Sequence, residues 1–215
     1  PRVHGGLLGR REDSTHQESA KNYGIKWIDL AVVNLYPFEK VASSTKKPDW
    51  RELIENIDIG GPTMIRAAAK NHEHVTVIVD PEDYFKFIQK LKDNPNEGFD
   101  KAYRYKMATK AFAHTALYDS VIAETLGHYT LNDTELERNS FSHYHFVHGK
   151  IKNELRYGEN PHQKGVFFGD FDALFNKLHG KELSYNNLLD VDAAVQLMGE
   201  FTHDAPTFAI LKHNN

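Results

Sequence analysis

The sequence predicts an α/β fold in which a mainly parallel sheet is layered with helices. Two observations carry that expectation. The apolar runs IDLAVVNLYPF (28–38) and VTVIVD (75–80) are nearly continuous, as in parallel strands buried on both faces, and do not alternate like strands with one wet face. Residues 49–59, 83–93 and 99–126 instead carry apolar residues every three to four positions, the spacing of amphipathic helices. Strand, helix, strand and helix joined by short connections make a layered α/β domain.

Each element follows in order. HGGLLGRRED (4–13) reads as a glycine-punctuated basic loop, and residues 14–24 as a polar helix or loop ending at Gly24. The 28–38 run is closed by Pro37, and DWRELIENIDI (49–59) is helical in spacing. A glycine turn then feeds a helix over 62–71, in which Ala67, Ala68 and Ala69 permit close packing on the sheet. Pro81 suits a first helical turn before the amphipathic helix 83–93. NPNEG (94–98) is a loop, and 99–126 one long helix. Residues 127–150 are polar and without a period, and read as a linker or insertion. KNELRYGENPHQKGVFF (152–168) opens a new unit, LSYNNLLDVDAAVQLMGEFT (183–202) is a turn feeding a helix, and TFAIL (207–211) is a buried strand. There is no internal repeat.

Composition narrows the function classes. The chain has 215 residues, 40% hydrophobic and 26% charged, ordinary for one large or two small globular domains. The net charge of −4 argues against a broad nucleic-acid or anionic-membrane surface. No apolar run approaches the roughly 18 residues that span a bilayer, and nothing reads as a signal peptide. The absence of cysteine excludes disulfides and thiolate metal sites, and disfavours a zinc nucleobase deaminase, which needs a cysteine pair. A soluble cytosolic protein is expected. The chain starts at Pro1 and stops at LKHNN directly after a strand-like run, so a piece of a longer protein is expected too.

The motif IDIGGPTMIRAAAKNH (57–72) sets a carboxylate, Asp58, before a glycine-lined helix start and an amine, Lys70, after it. Gly60 and Gly61 let a ligand approach the backbone, Pro62 suits the first turn, and Thr63 adds a hydroxyl. The helix start is either an anion site or a plain helix start with a surface lysine. Asn34 and Tyr36 end a strand-like run, where α/β sheets bind ligands. Tyr36 is otherwise a rim aromatic, and HGGLLGRR is either a phosphate cradle or a surface loop. His143, His145 and His148 in HYHFVH could ligate a metal, but the irregular linker argues against it. His72 and His74 suit a helix C-terminus. His114 and Tyr118 share one face of the long helix, for which packing or an interface contact is the preferred reading.

PRVHGGLLGRRE, VVNLYPFEK, IENIDIGGPTMIRAAAKNH, VDPEDY, KAFAHTALYD, LRYGENPHQ and LKHNN occur in that order. Over nearly the whole chain they resemble the bifunctional purine-biosynthesis enzymes that combine AICAR formyltransferase with IMP cyclohydrolase. The resemblance implies a methylglyoxal-synthase-like cyclohydrolase domain over 1–148, with 127–148 as linker or insertion. It also implies the start of a cytidine-deaminase-like transformylase domain over 149–215. The family's first strand, further nucleotide loops and a Lys-Thr-Leu-His run would precede Pro1, so incomplete sites and an inactive fragment are expected.

The implied reactions are formylation of AICAR by 10-formyltetrahydrofolate and dehydrative closure of the product, FAICAR, to IMP. Closure is intramolecular, so it needs a held conformer, a proton acceptor and charge stabilisation at the formyl oxygen. By resemblance, Lys70, Asp58 and Tyr36 are active-site residues, and Asn34 and Ile59 contact nucleotide beside Gly60, Gly61 and Thr63. Arg156 and Tyr157 bind the transformylase nucleotide, with Asn187 in a turn nearby. His213 would take the proton of the attacking amine, and Lys212 would stabilise the oxyanion. No metal or tightly bound cofactor is implied. The implied partners are the nucleotides, the folate and a second copy in a homodimer, with no nucleic acid or membrane. The alternative is a phosphate- or nucleotide-sensing regulatory domain on the methylglyoxal-synthase-like fold, which would have no use for RYGENPHQ or LKHNN.

Overall fold

The computed structural model describes residues 1–44, 49–93, 98–132, 135–203 and 205–212. The chain divides into two compact units, Pro1–Phe146 and Val147–Asn215. No described helix is long and apolar enough to cross a membrane.

The first unit opens with α1 (Arg2–Leu8) and α2 (Ser14–Tyr23). Asp13 caps α2 by accepting from the Thr15 and His16 amides, and Gly24 ends it with φ of 61°, a left-handed conformation that glycine adopts without strain. Then come β1 (Leu30–Val32), α3 (Phe38–Ala42) and α4 (Trp50–Glu55), the last capped by Asp49. α5 (Gly60–Lys70) leads into β2 (Thr76–Ile78), which runs parallel to β1 with Leu30 opposite Thr76. A 3-10 turn at Pro81–Asp83 starts α6 (Tyr84–Asp93), and α7 (Lys101–Leu126) is capped by Asp100.

β2 is the centre of the unit. Thr76, Val77 and Ile78 are all buried. Val77 and Val79 join Leu7, Ile65, the three alanines of α5, and Ala108 and Ala111 of α7 in one apolar cluster. Ile78 packs with Phe87 of α6 and Met107 of α7 in a second. The alanines let α5 lie close, and fully buried Ile65 contributes about 1.5–3 kcal/mol by leaving water.

Three expectations are corrected here. Residues 2–8 are helical, so HGGLLGRRED is not a loop throughout. A Cβ on Gly6 would lie 2.4 Å from the Lys26 carbonyl oxygen, and one on Gly5 2.9 Å from Ile25 Cδ1. These glycines serve helix-to-chain packing. β1 is not buried on both faces: Leu30 and Val32 are exposed, because no described element covers that face. The 127–150 stretch is not wholly irregular. It contains an antiparallel hairpin, β3 (Tyr129–Asn132) with β4 (Glu135–Arg138), and Tyr129 packs on Trp50 with ring centroids 5.3 Å apart.

The second unit pairs β5 (Ile151–Glu154) with β6 (Val166–Phe168) antiparallel, with a register irregularity between Ile151 and Asn153. The short α8 (Phe171–Leu174) buries Phe171 against Phe167 and Phe175. α9 (Tyr185–Gly199) starts in a capping box of Ser184 with Asn187. TFAIL is not a strand here. Phe208 and Ile210 are 84% and 87% exposed, since no described strand pairs with them.

Candidate functional sites

In the first unit the polar residues converge where β1 and β2 end. Asp58 lies in the turn between α4 and α5. Its Oδ1 accepts the Gly61 amide at 2.7 Å, and its Oδ2 accepts the Tyr36 amide at 3.4 Å. The carboxylate thereby caps α5 and ties it to the NLYP segment. A Cβ on Gly61 would lie 2.6 Å from both Asp58 Oδ2 and Leu35 Cδ2, while one on Gly60 would meet nothing within 4 Å. Gly61 therefore makes room for Asp58, and Gly60 alone keeps an open approach.

This arrangement limits the anion-site reading. Asp58 takes the Gly61 N–H and Pro62 has none, which leaves Gly60 as the donor among the first three residues of α5. Thr63 donates its hydroxyl to the Ile59 carbonyl at 2.7 Å. Ile59 and Tyr36 are exposed, and Asn34 Oδ1 accepts from the Tyr84 hydroxyl at 2.5 Å. The Asp58 carboxylate thus ties Tyr36 to Gly61, with exposed Ile59, Gly60 and Thr63 beside them, while Asn34 bonds to Tyr84. Lys70 does not join them. It is exposed at the other end of α5, about 15 Å along the axis from Gly60 at 1.5 Å per residue.

α7 supplies a second row of polar groups at four-residue spacing. Lys110 Nζ lies 2.5 Å from Asp80 Oδ2 and 2.6 Å from Asp83 Oδ2. Hydrogen bonding from Lys110 holds the Asp80 carboxyl below its usual range. Burial works against the charge of Lys110, but hydrogen bonds to Asp80 and Asp83 outweigh it and raise its pKa. Burial lowers the His114 pKa, and its sealed Nε2 has no hydrogen-bond partner among the described residues. Tyr118 accepts the Asp58 amide at 2.8 Å and donates to the Asn56 carbonyl at 3.1 Å. In the sequence Tyr118 falls in the KAFAHTALYD motif and on a face read as packing or interface contact, neither of which names Asp58 as its partner.

In the second unit the Arg156 guanidinium lies 4.8 Å from the centroid of the Tyr157 ring, and its Nη2 donates to the phenol at 3.0 Å. The Ser184 hydroxyl and Arg156 both hold the Tyr157 phenol below its ordinary pKa. Two backbone bonds join this segment to the start of α9, Arg156 N to Leu183 O at 2.7 Å and Tyr185 N to Tyr157 O at 3.1 Å. Asn187 Oδ1 accepts from the Ser184 amide and hydroxyl, each at 3.0 Å. Arg156, Tyr157 and Asn187 are brought together. Lys212 is exposed, and His213 lies outside the described residues.

The HYHFVH segment forms no ligand cluster among the described residues; His145 Nδ1 instead lies 2.9 Å from Glu124. Among the described residues Glu12, Glu73 and His74 form one grouping of possible ligand atoms, already engaged in ion pairs. His74 pairs with Glu12 at 2.7 Å and Lys101 with Glu73 at 2.9 Å. His72 Nδ1 lies 3.2 Å from the Ala69 carbonyl, at the end of α5.

Comparison with known proteins decides the family. The model for the AICARFT/IMPCHase bienzyme matches residues 68–215. The chain belongs to the AICARFT/IMPCHase bienzyme family. It is 47% identical over 222 residues to the bifunctional purine biosynthesis protein PurH of Rhizobium leguminosarum bv. trifolii (strain WSM2304), a match covering 100% of this chain and 39% of that protein. With PurH of Chlorobium phaeobacteroides (strain BS1) it shares 44% over 225 residues, covering 100% and 41%. The chain thus spans about two fifths of the length of these AICARFT/IMPCHase relatives. A solved structure, that of ForH, aligns at 35% identity with a TM-score of 0.52, covering 59% of this chain and 63% of that one.

Proposed function

We propose that this chain is part of a bifunctional enzyme of purine biosynthesis. Its first unit carries residues of the IMP cyclohydrolase site, and its second carries residues of the AICAR transformylase site. The two domains span 1–148 and 149–215, the first methylglyoxal-synthase-like and the second cytidine-deaminase-like. The observation that carries the cyclohydrolase reading is the bond of the Asp58 carboxylate to the Tyr36 amide beyond the ends of two parallel strands, where α/β sheets take their ligands, with Asn34 two residues before Tyr36. The clustered Arg156, Tyr157 and Asn187 support the second reading, and a lone phosphate sensor would leave them without a purpose.

In ring closure the carboxamide nitrogen of FAICAR attacks its own formyl carbon, and water leaves. Asp58 accepts two backbone N–H bonds, and a carboxylate has about four acceptor positions. It therefore retains capacity for the substrate N–H, orienting it and drawing off its proton. Tyr36 and Asn34 flank that position, with Ile59, Gly60, Gly61 and Thr63 lining the nucleotide. Lys70 is assigned to the oxyanion by resemblance alone, since α5 holds it away from Asp58.

In formyl transfer Arg156 and Tyr157 clamp AICAR as a donor fork and a phenol. Lys212 stabilises the tetrahedral oxyanion, and His213 takes the amine proton. 10-Formyltetrahydrofolate is the co-substrate, no cofactor is held tightly, and the whole protein works as a cytosolic homodimer. An ultraviolet assay of FAICAR conversion to IMP tests this reading. A protein of the relatives' full length should turn over and this 215-residue chain should not. A folded full-length protein without turnover would refute the reading.

A further inference from the structure

We infer that Tyr118 is a positioning residue for ring closure, acting through Asp58. The inference rests on the cyclohydrolase reading of the first unit.

The Asn56–Asp58 segment belongs to no helix or strand. The Asn56 and Ile57 amides bond back to Glu52 and Ile54 of α4, whereas the Asp58 amide and the Asn56 carbonyl turn to one oxygen atom of Tyr118. Its hydroxyl accepts the Asp58 amide at 2.8 Å and donates to the Asn56 carbonyl at 3.1 Å. The phenol thus staples both ends of a three-residue segment to α7, a helix anchored in both apolar clusters through Met107, Ala108 and Ala111. Burial raises the phenol pKa, which keeps it protonated as the bond to Asn56 requires.

The same ring fixes the other half of the site. It meets Phe38 edge-on, with centroids 6.5 Å apart and planes at 72°. Phe38 is 1% exposed and opens α3 directly after Pro37. Tyr118 therefore grips the two segments that carry Asp58 and Tyr36, one by hydrogen bonds and one by ring packing. The Asp58 carboxylate then closes the arrangement through the Gly61 and Tyr36 amides. Removing the hydroxyl leaves a part-buried amide and carbonyl unpaired and frees the Asp58 main chain to shift. Misplacement by about 1 Å costs on the order of 100-fold in a step that depends on orientation.

The test is Tyr118→Phe, which keeps the ring and removes the oxygen, in the full-length protein beside Asp58→Asn and the double variant. Tyr118→Phe should lower kcat for FAICAR closure by about 10- to 100-fold, with KM held within about threefold and formyl transfer unchanged. If Tyr118 acts through Asp58, the double variant falls no further than Asp58→Asn alone. Wild-type kcat in Tyr118→Phe, or losses that multiply in the double variant, would overturn the inference while leaving the cyclohydrolase reading intact. A wild-type protein that formylates AICAR without closing the ring would overturn both. Amide hydrogen exchange on the full-length protein gives a readout independent of activity. In Tyr118→Phe the Asp58 amide should exchange at least about tenfold faster, while Ile65 keeps its protection. An unchanged Asp58 rate removes the basis of the inference.

Discussion

Asp58 and Gly61 are fitted to each other: Oδ1 accepts the Gly61 amide at 2.7 Å, and a Cβ on Gly61 would stand 2.6 Å from Oδ2. The neighbouring Gly60 has open space on its Cβ side. The two glycines of one motif therefore have separate jobs. Gly61→Ala should destabilise the first unit by about 1–3 kcal/mol through overpacking. Gly60→Ala should leave stability unchanged or raise it by up to about 1 kcal/mol, because it stiffens the unfolded chain. Urea unfolding midpoints of the two variants check this; equal midpoints would contradict it.

Lys110 holds Asp80 and Asp83 together across the loop that follows β2. The Asp80 pKa is depressed on folding, chiefly by the Lys110 hydrogen bond. Its contribution is therefore present above the ordinary carboxylate pKa of about 3.9 and is lost as pH falls through the folded value. The Lys110 pKa is raised on folding, so its contribution is full below about 10.4 and fades at higher pH. Lys110→Met should cost about 1–2 kcal/mol at neutral pH, discounted for partial exposure. It should also flatten the acid limb of a Tm-against-pH curve; parallel wild-type and variant curves would refute the pairing.

His114 carries a sealed nitrogen without a hydrogen-bond partner among the described residues and a pKa lowered by burial. Its neutral form is the folded one. Stability should be full above the unfolded pKa of about 6.5 and should decline as pH drops below that value towards the folded one. His114→Phe removes the orphaned atom. It should be neutral or stabilising by up to about 1 kcal/mol at pH 7.5, and should abolish the decline below about pH 6.5. Denaturant titrations at pH 7.5, 6.5 and 5 would show it.

Much of this was legible in sequence. β2, α5, α6 and α7 follow their hydrophobic periods because each buries its apolar face. Apolar runs do not specify what covers them, so Leu30, Val32, Phe208 and Ile210 were expected inside and lie outside. α1 was hidden because Gly5, Gly6 and Gly9 read as breakers, whereas they serve packing against Ile25, Ile28 and Trp27. The strands 129–132 and 135–138 are four residues each and mostly polar, so the alternation of Tyr129 and Leu131 with Thr130 and Asn132 is too short to stand out. Motif chemistry singles out Asp58, Tyr36 and Gly61, and the Asp58 carboxylate bonds both other amides. Tyr118 is not singled out, because its bonds span about sixty residues and nothing in its spacing names Asp58 as the partner.

The central claim is that one chain carries parts of two separate sites, one in each unit. The direct measurement follows tetrahydrofolate release and IMP formation separately in full-length Asp58→Asn and Arg156→Ala. Asp58→Asn should slow ring closure by at least about 100-fold and spare formyl transfer. Arg156→Ala should weaken AICAR binding by about 10- to 100-fold, the loss of a charge-assisted contact, and spare ring closure of supplied FAICAR. Two variants that lower both activities equally, or neither, would contradict the account.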